Sequence, residues 1–280
     1  MVPLDGSPLR FGIITDIHYV PDTGAGTATA AGLERCIDYW QKEGADFVVQ
    51  LGDLIGREGP EAEEDLIAVR DMLARWPGPM VHVPGNHCLA VPQERLFSIM
   101  GIPAPYHSFA KGGIRFIVLH SMEVSVLSEP ENAADRNLLA YYRDVRQALF
   151  YCGAVGSRQL QWLVGELDSA LRNEEPVIVL CHLPLLEETT DAKHGLLWNH
   201  EEVSALICRY QNVLACLSGH YHPGGYAYRS GIHFVVLPAF ANCSEQPCFA
   251  CGMAETSEGR LRITGADGTP MYDLLLGSEL

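Results

Sequence analysis

The chain has 280 residues, 48% of them hydrophobic and 19% charged, a composition that excludes a disordered, collagen-like or low-complexity architecture. Its formal net charge is −16, and its 19 Lys and Arg residues are scattered, so neither a nucleic-acid duplex nor an anionic membrane is an expected partner. A small phosphorylated molecule stays open, because bound divalent cations reverse the local field of an acidic site.

The first ten residues carry Asp5, Gly6 and the prolines Pro3 and Pro8 and lack an apolar signal-peptide core. Phe11 to Thr15 reads as a strand and ends on Asp16 and His18. Leu33, Cys36, Ile37 and Trp40 then recur at helical spacing. A second strand, Phe47 to Leu51, runs into Gly52 and Asp53. The acidic run Glu58 to Asp65 reads as the solvated face and first turns of a helix that continues through Leu66, Val69 and Leu73. Met80 to Val83 is a strand that delivers Gly85, Asn86 and His87, and Arg115 to Leu119 is another.

Residues 120–156 form a longer connection than compact domains usually carry, rich in Ser, Glu, Asn and Arg, and are expected to be a lid insertion with a helix over Leu138 to Phe150. Leu160, Leu163, Val164, Leu167 and Leu171 mark an amphipathic helix. Val177 to Cys181 is a strand ending on His182; Val213 to Leu217 leads into Gly219, His220 and His222; His233 to Leu237 is the last strand expected. Strands alternating with helices imply an α/β layered fold. No repeat or Pro/Gly-rich linker divides the chain, so residues 1–280 are expected to form a single domain. Nine cysteines in a chain this long do not make a disulfide framework, and Cys36, Cys181 and Cys216 sit in apolar runs. A reducing, cytoplasmic setting is expected, with no run near the ~18 apolar residues of a membrane span.

The chemistry lies in where the strands stop. Strand after strand ends on a side chain able to bind a metal, and in open α/β sheets the ligand site forms at the carboxyl ends of strands. Gly52, Gly85 and Gly219 precede Asp53, Asn86 and His220, and a residue without Cβ permits the close approach that aims the next side chain inward. His220 and His222, one residue apart in an extended segment, point the same way. The oxygen and imidazole donors, with no thiolate among them, fit Mn, Fe, Zn or Co rather than calcium.

In this order, Asp16-x-His18, Gly52-Asp53, Gly85-Asn86-His87, His182 and Gly219-His220-x-His222 resemble the signature of the calcineurin-like metallophosphoesterase superfamily. The resemblance implies a four-layer αββα sandwich of two mixed β-sheets flanked by helices, with two divalent transition metal ions per chain. It implies that Asp16, His18 and His222 hold one metal, that Asn86, His182 and His220 hold the other, and that Asp53 bridges them. His87 would be a catalytic residue outside the metal shell.

Ser125-Val126-Leu127-Ser128, Gln159 to Leu163, His182-Leu183-Pro184, Leu197-Trp198-Asn199 and Gly219 to Tyr226 are similar to the manganese-dependent ADP-ribose/CDP-alcohol diphosphatase branch. That similarity favours Mn and a small nucleoside diphosphate substrate. His18, Cys88 and His120 depart from the branch pattern, which commonly has Gln, an acidic residue and Asp at these places.

Two metals about 3.5–4 Å apart can hold a hydroxide between them for direct attack on phosphorus, and His87 suits proton transfer or charge neutralisation. Phosphomonoester or phosphodiester hydrolysis, including that of cyclic nucleotides, stays open with the same centre, as does a non-catalytic scaffold. His120, Trp198, Asn199 and Tyr221 are candidates either for the substrate pocket or for packing, with packing favoured for Trp198. Cys248 and Cys251, with Cys243 nearby, lack the second pair a structural zinc needs. No Gly-x-Ser-x-Gly elbow or P-loop is present.

Overall fold

In the computed structural model, which describes residues 8–21, 24–244 and 251–276, the first half of the chain runs β1 (Leu9–Ile14), α1 (Gly24–Glu43), β2 (Phe47–Gln50), α2 (Ala62–Leu73), β3 (Met80–His82), α3 (Gln93–Met100), β4 (His107–Lys111), β5 (Ile114–Leu119) and α4 (Ala133–Ala140). It continues as α5 (Ser157–Arg172), β6 (Val177–Cys181), α6 (His200–Ile207), β7 (Val213–Ser218), β8 (Gly225–Arg229), β9 (Ile232–Val236), β10 (Gly252–Ser257), β11 (Arg260–Gly265) and β12 (Pro270–Leu275). The strands form two six-stranded sheets, ordered β12-β11-β10-β1-β2-β3 and β4-β5-β6-β7-β9-β8.

Both faces of the central strands are covered, which is why they read as unbroken apolar runs rather than alternating ones. Along β2, Phe47 and Val49 enter the core between the sheets while Val48 packs beneath the helices. Along β6, Ile178 and Leu180 face the other sheet while Val177, Val179 and Cys181 face α5 and α6. The layers are therefore helices, sheet, sheet, helices: the αββα sandwich implied by the resemblance. Phe11, Phe47 and Phe116 knot the inner core, with ring centres 5.1 Å (Phe11 to Phe47), 5.6 Å (Phe11 to Phe116) and 5.3 Å (Phe47 to Phe116) apart.

β1, β2 and β3 run parallel, as do β5, β6, β7 and β9, so within each sheet their carboxyl ends share an edge. Past those ends the chain stays ordered by backbone bonds: Asp16 N–H donates to Gly52 O at 3.0 Å, His18 N–H to Asp53 O at 3.1 Å, and Gly219 N–H to His182 O at 3.0 Å.

The expected helix over Leu138 to Phe150 is corrected. The helix begins earlier, at Ala133, with Asn132 capping it by accepting from Asp135 N–H. It widens into a π turn over Tyr141–Val145 and has stopped by Gln147, which is left-handed at φ 49°. Leu138, Leu139, Tyr142 and Leu149 of that stretch pack against the core, while Tyr141 and Val145 are exposed. Strands β4, β8, β10, β11 and β12 and helices α3 and α6 were not expected from the sequence. Cys36, Cys181 and Cys216 are buried free thiols. Cys248 lies outside the described residues, as does the side chain of Cys243. Among the described residues, no helix is long and apolar enough to cross a membrane.

Candidate metal centre

The loops that leave β1, β2, β3, β6 and β7 bring Asp16, His18, Asp53, Asn86, His87, His182, His220 and His222 to one place. Ligand atoms of Asp16, His18 and His222 lie within 4.8 Å of one another, and so do those of Asp53, His182 and His220. A third grouping, His18, Asp53 and His87, overlaps both. Asp53 Oδ2 stands 3.2 Å from His182 Nε2 and 3.8 Å from His18 Nε2, between the two triads. Asn86 Oδ1 is 3.1 Å from both His182 Nε2 and His220 Nδ1.

Such convergence needs backbone that few residues adopt. Asp16 (φ 52°), His18 (φ 47°), Asp53 (φ 54°) and His220 (φ 68°) are all left-handed, a strained state that persists where surrounding bonds over-determine it. The glycines give space. A Cβ on Gly85 would strike the Asp53 carboxylate, one on Gly219 would strike Thr15 and Asp16, and one on Gly52 would strike the His182 ring.

The polar contacts divide each side chain into a held end and a presented end. Asp16 Oδ2 accepts from Thr15 Oγ1 at 2.6 Å and from His220 N–H at 2.9 Å, whereas its buried Oδ1 has no hydrogen-bond partner. Asp53 Oδ1 accepts from His87 N–H at 2.8 Å, which leaves Oδ2 to the triads. His182 Nδ1 donates to Leu51 O at 2.8 Å and His220 Nε2 donates to His194 O at 2.9 Å. Backbone carbonyls thus fix the tautomer that frees His182 Nε2 and His220 Nδ1 as ligand atoms.

The electrostatics are those of buried anions in want of a cation. Asp16 and Asp53 are almost wholly inaccessible, and buried carboxylates require compensation. Burial works against the charge of Asp53, yet His182 beside it holds the carboxyl far below its ordinary value. Burial likewise opposes Asp16, which the neighbouring His18 ring and the His182 charge keep below its ordinary value. Burial depresses His182, but Asp53 and its hydrogen bond outweigh that and raise it to about 9. Burial, helped by His182, pushes His220 down to about 4. His87 is also lowered, by burial first. A proton on His182 does here what a metal would do, and the orphaned Asp16 Oδ1, the N/O donor set and the ligand-atom spacing all fit divalent ions.

His18, Asp53, Asn86, His87, His220 and His222 line a cavity of about 320 Å³ whose other lining residues, at its rim, are Glu58, Leu127, Phe150, Tyr151 and His194, with Asp16 and His182 buried behind it. The rim residues went unrecognised as site residues in the sequence, although Leu127 falls in the Ser125 to Ser128 stretch and Asp191-x-x-His194 has a dyad spacing that could have marked it. Leu127, Phe150 and Tyr151 come from the 120–156 insertion.

The pocket candidates turn out differently. His120 is buried, bonded to Gln93 at 3.0 Å, and lines a separate cavity of about 300 Å³. Trp198 stacks on Tyr142 at 5.3 Å. Asn199 brackets the Val155 backbone, accepting from its N–H at 3.0 Å and donating to its carbonyl at 2.9 Å. Tyr221 packs on the His194 ring. All four support structure around the cavity rather than line it.

Residues 9–224 match the calcineurin-like phosphoesterase family. The chain is 30% identical to a manganese-dependent ADP-ribose/CDP-alcohol diphosphatase of Arabidopsis thaliana, over 92% of this chain and 94% of that protein. It is 26% identical to a 3′,5′-cyclic-nucleotide phosphodiesterase of Nostoc, over 94% and 90%. Its fold is similar to that of a dimetal phosphatase from Danio rerio, with a TM-score of 0.81 and 24% identity over 96% of this chain and 99% of that one. With matching fold and sequence over most of its length, the chain belongs to the calcineurin-like phosphoesterase family and is a hydrolase of phosphoric esters or diphosphates.

Proposed function

We propose that this chain hydrolyses the phosphoanhydride of small nucleoside diphosphate derivatives of the ADP-ribose or CDP-alcohol type, at a dinuclear centre that takes manganese. Asp16, His18 and His222 would hold one ion, Asn86, His182 and His220 the other, and Asp53 would serve both. The observation that carries the metal assignment is the position of Asp53 Oδ2, within 3.8 Å of a histidine from each triad. The similarity to the Arabidopsis diphosphatase carries the substrate class and the choice of metal.

When bound, divalent ions supply Lewis acidity: they neutralise phosphoryl charge and lower the pKa of water. The remaining work falls to the chain. His182 and His220, each anchored by a carbonyl, keep their free nitrogens aimed at one point without reorganising during turnover. Thr15 and the His220 N–H fix Asp16, and the His87 N–H fixes Asp53. His87 has a ring nitrogen within 4.8 Å of ligand atoms of His18 and Asp53; its ring would hydrogen-bond the phosphoryl oxygens, and, once protonated in the field of the bound phosphate, would return that proton to the leaving oxygen. Residues 120–156 act as a lid within a single domain, and their Leu127, Phe150 and Tyr151 exclude water from the rim.

The Nostoc relative supports a second reading, hydrolysis of a cyclic nucleotide at the same centre. One experiment separates the two. Metal-stripped protein, reloaded with Mn, Zn, Fe or Co, is offered ADP-ribose, CDP-choline, 3′,5′-cyclic AMP and nitrophenyl mono- and diesters. Preference for the first two supports the diphosphatase; preference for the cyclic nucleotide replaces it.

A further inference from the structure

The cavity over the two triads carries another histidine that the ligand scheme does not use. His194 lies on the rim beside His220 and His222, its side chain 37% exposed. Asp191 Oδ1 stands 2.7 Å from its Nδ1 and also accepts from the backbone N–H groups of Lys193 at 3.0 Å and His194 at 2.8 Å. The His194 backbone N–H, and then its ring, hold the Asp191 carboxyl below its ordinary value. Asp191 is therefore an acceptor only, and the shared proton belongs to His194 Nδ1.

That fixes the tautomer. A neutral imidazole that donates from Nδ1 carries its lone pair on Nε2, and no hydrogen bond from another described residue reaches His194 Nε2. The ring is not free to turn away, because it packs edge-on against Tyr221 at 5.2 Å. Nor is the loop adrift: the His194 carbonyl accepts from His220 Nε2 at 2.9 Å, and Thr190 Oγ1 donates to Gly195 O at 3.0 Å. The lone pair is held at a set position relative to the triads.

A lone pair repels phosphate oxygens and selects a donor. The neighbouring rim offers one other acceptor, the exposed Glu58 carboxylate, while Leu127 and Phe150 are apolar and the Tyr151 hydroxyl already donates to Lys193 O. A nucleoside diphosphate derivative brings one kind of donor close to its phosphates, the hydroxyls of its ribose. We infer that His194, oriented by Asp191, is a specificity-determining residue that accepts a hydrogen bond from a sugar hydroxyl of the substrate. This rests on the nucleoside diphosphate reading above.

The test compares CDP-choline with its 2′-deoxy and 3′-deoxy forms, on the manganese-loaded protein and on His194→Ala. The wild type should prefer the ribose form over one of the deoxy forms by about threefold to tenfold in kcat/KM, the size of one net hydrogen bond. In His194→Ala that preference should fall to about one, mainly through KM. His194→Gln, which keeps an acceptor, should restore part of it. A merely structural role would weaken all three substrates alike and leave the ratio untouched. An unchanged ratio in His194→Ala overturns the inference, as does a wild type that treats all three substrates equally; the diphosphatase reading survives both. Failure of the wild type to cleave any of them removes that reading, and the inference with it.

Discussion

His18 and His222 bring their Nε2 atoms to 3.1 Å across 204 positions of sequence. Both atoms also lie near the unpartnered Asp16 Oδ1, at 3.6 Å and 3.7 Å. Two imidazole lone pairs do not face each other without a proton or a cation between them, and nitrogens at ~2.1 Å from one ion sit about 3.0–3.4 Å apart. Metal binding should therefore show as stability. Manganese at a hundred times its dissociation constant should add about 2.7 kcal/mol to chelator-treated protein, and His222→Ala should lose a clear part of that gain. Thermal melts with and without Mn check this; a midpoint indifferent to every divalent ion would remove the metal assignment.

Asp53 is the residue whose loss both triads would feel. Asp53→Ala should lower turnover by more than about 100-fold, since even a partner of a metal ligand is typically worth 10–100-fold. The fold should survive, because the substitution also removes one of two buried carboxylates that repel each other. Circular dichroism and steady-state kinetics on the same preparation read both effects. Activity at the wild-type level would exclude Asp53 as the bridge.

Why the site was legible follows from the sheets. Strands β1, β2, β6 and β7 are buried mostly on both faces, so each reads as a largely apolar run, and a side chain able to bind a metal follows each run within a few residues, at the sheet edge. Strands β8 and β12 carry exposed and half-exposed residues and give no such run. The cavity rim left no periodic trace either: Leu127, Phe150, Tyr151 and His194 sit on loops whose course is set by tertiary bonds such as Asn199 to Val155. His120 misled for a related reason. It follows β5 as the ligands follow their strands, but its ring turns into the space beside Gln93 and Phe97.

Two glycines separate space from flexibility. Gly85→Ala should sharply reduce activity and metal-induced stabilisation, because its Cβ would fall on the Asp53 carboxylate and backbone nitrogen. Gly165, within α5, has open space where a Cβ would go. Gly165→Ala should stabilise the protein by about 0.5–1 kcal/mol through helix propensity alone, with kinetics unchanged. Urea unfolding together with turnover distinguishes the pair, and a neutral Gly85→Ala would contradict the close packing at the centre.

The interior histidines set an acid limit on stability that is separate from the metal centre. Burial pushes His120 from its ordinary 6.5 down to about 4, and does the same to His82. Above pH 6.5 the folded and unfolded chains both hold these rings neutral, and their contribution to stability is fully present. Between pH 6.5 and 4 only the unfolded chain takes the proton, so stability is lost as the pH falls, by about 3 kcal/mol per ring over the whole window. His120→Gln removes one titrating ring, while the Gln159 bonds to the backbone of residue 120, at 2.9 Å and 3.1 Å, remain. The drop in unfolding free energy between pH 7 and pH 5 should then be about 2 kcal/mol smaller in the variant than in the wild type. Comparing the two proteins at matched pH cancels the loss of metal that acid also causes. Equal drops would mean that His120 reaches solvent or finds a partner when it takes up its proton.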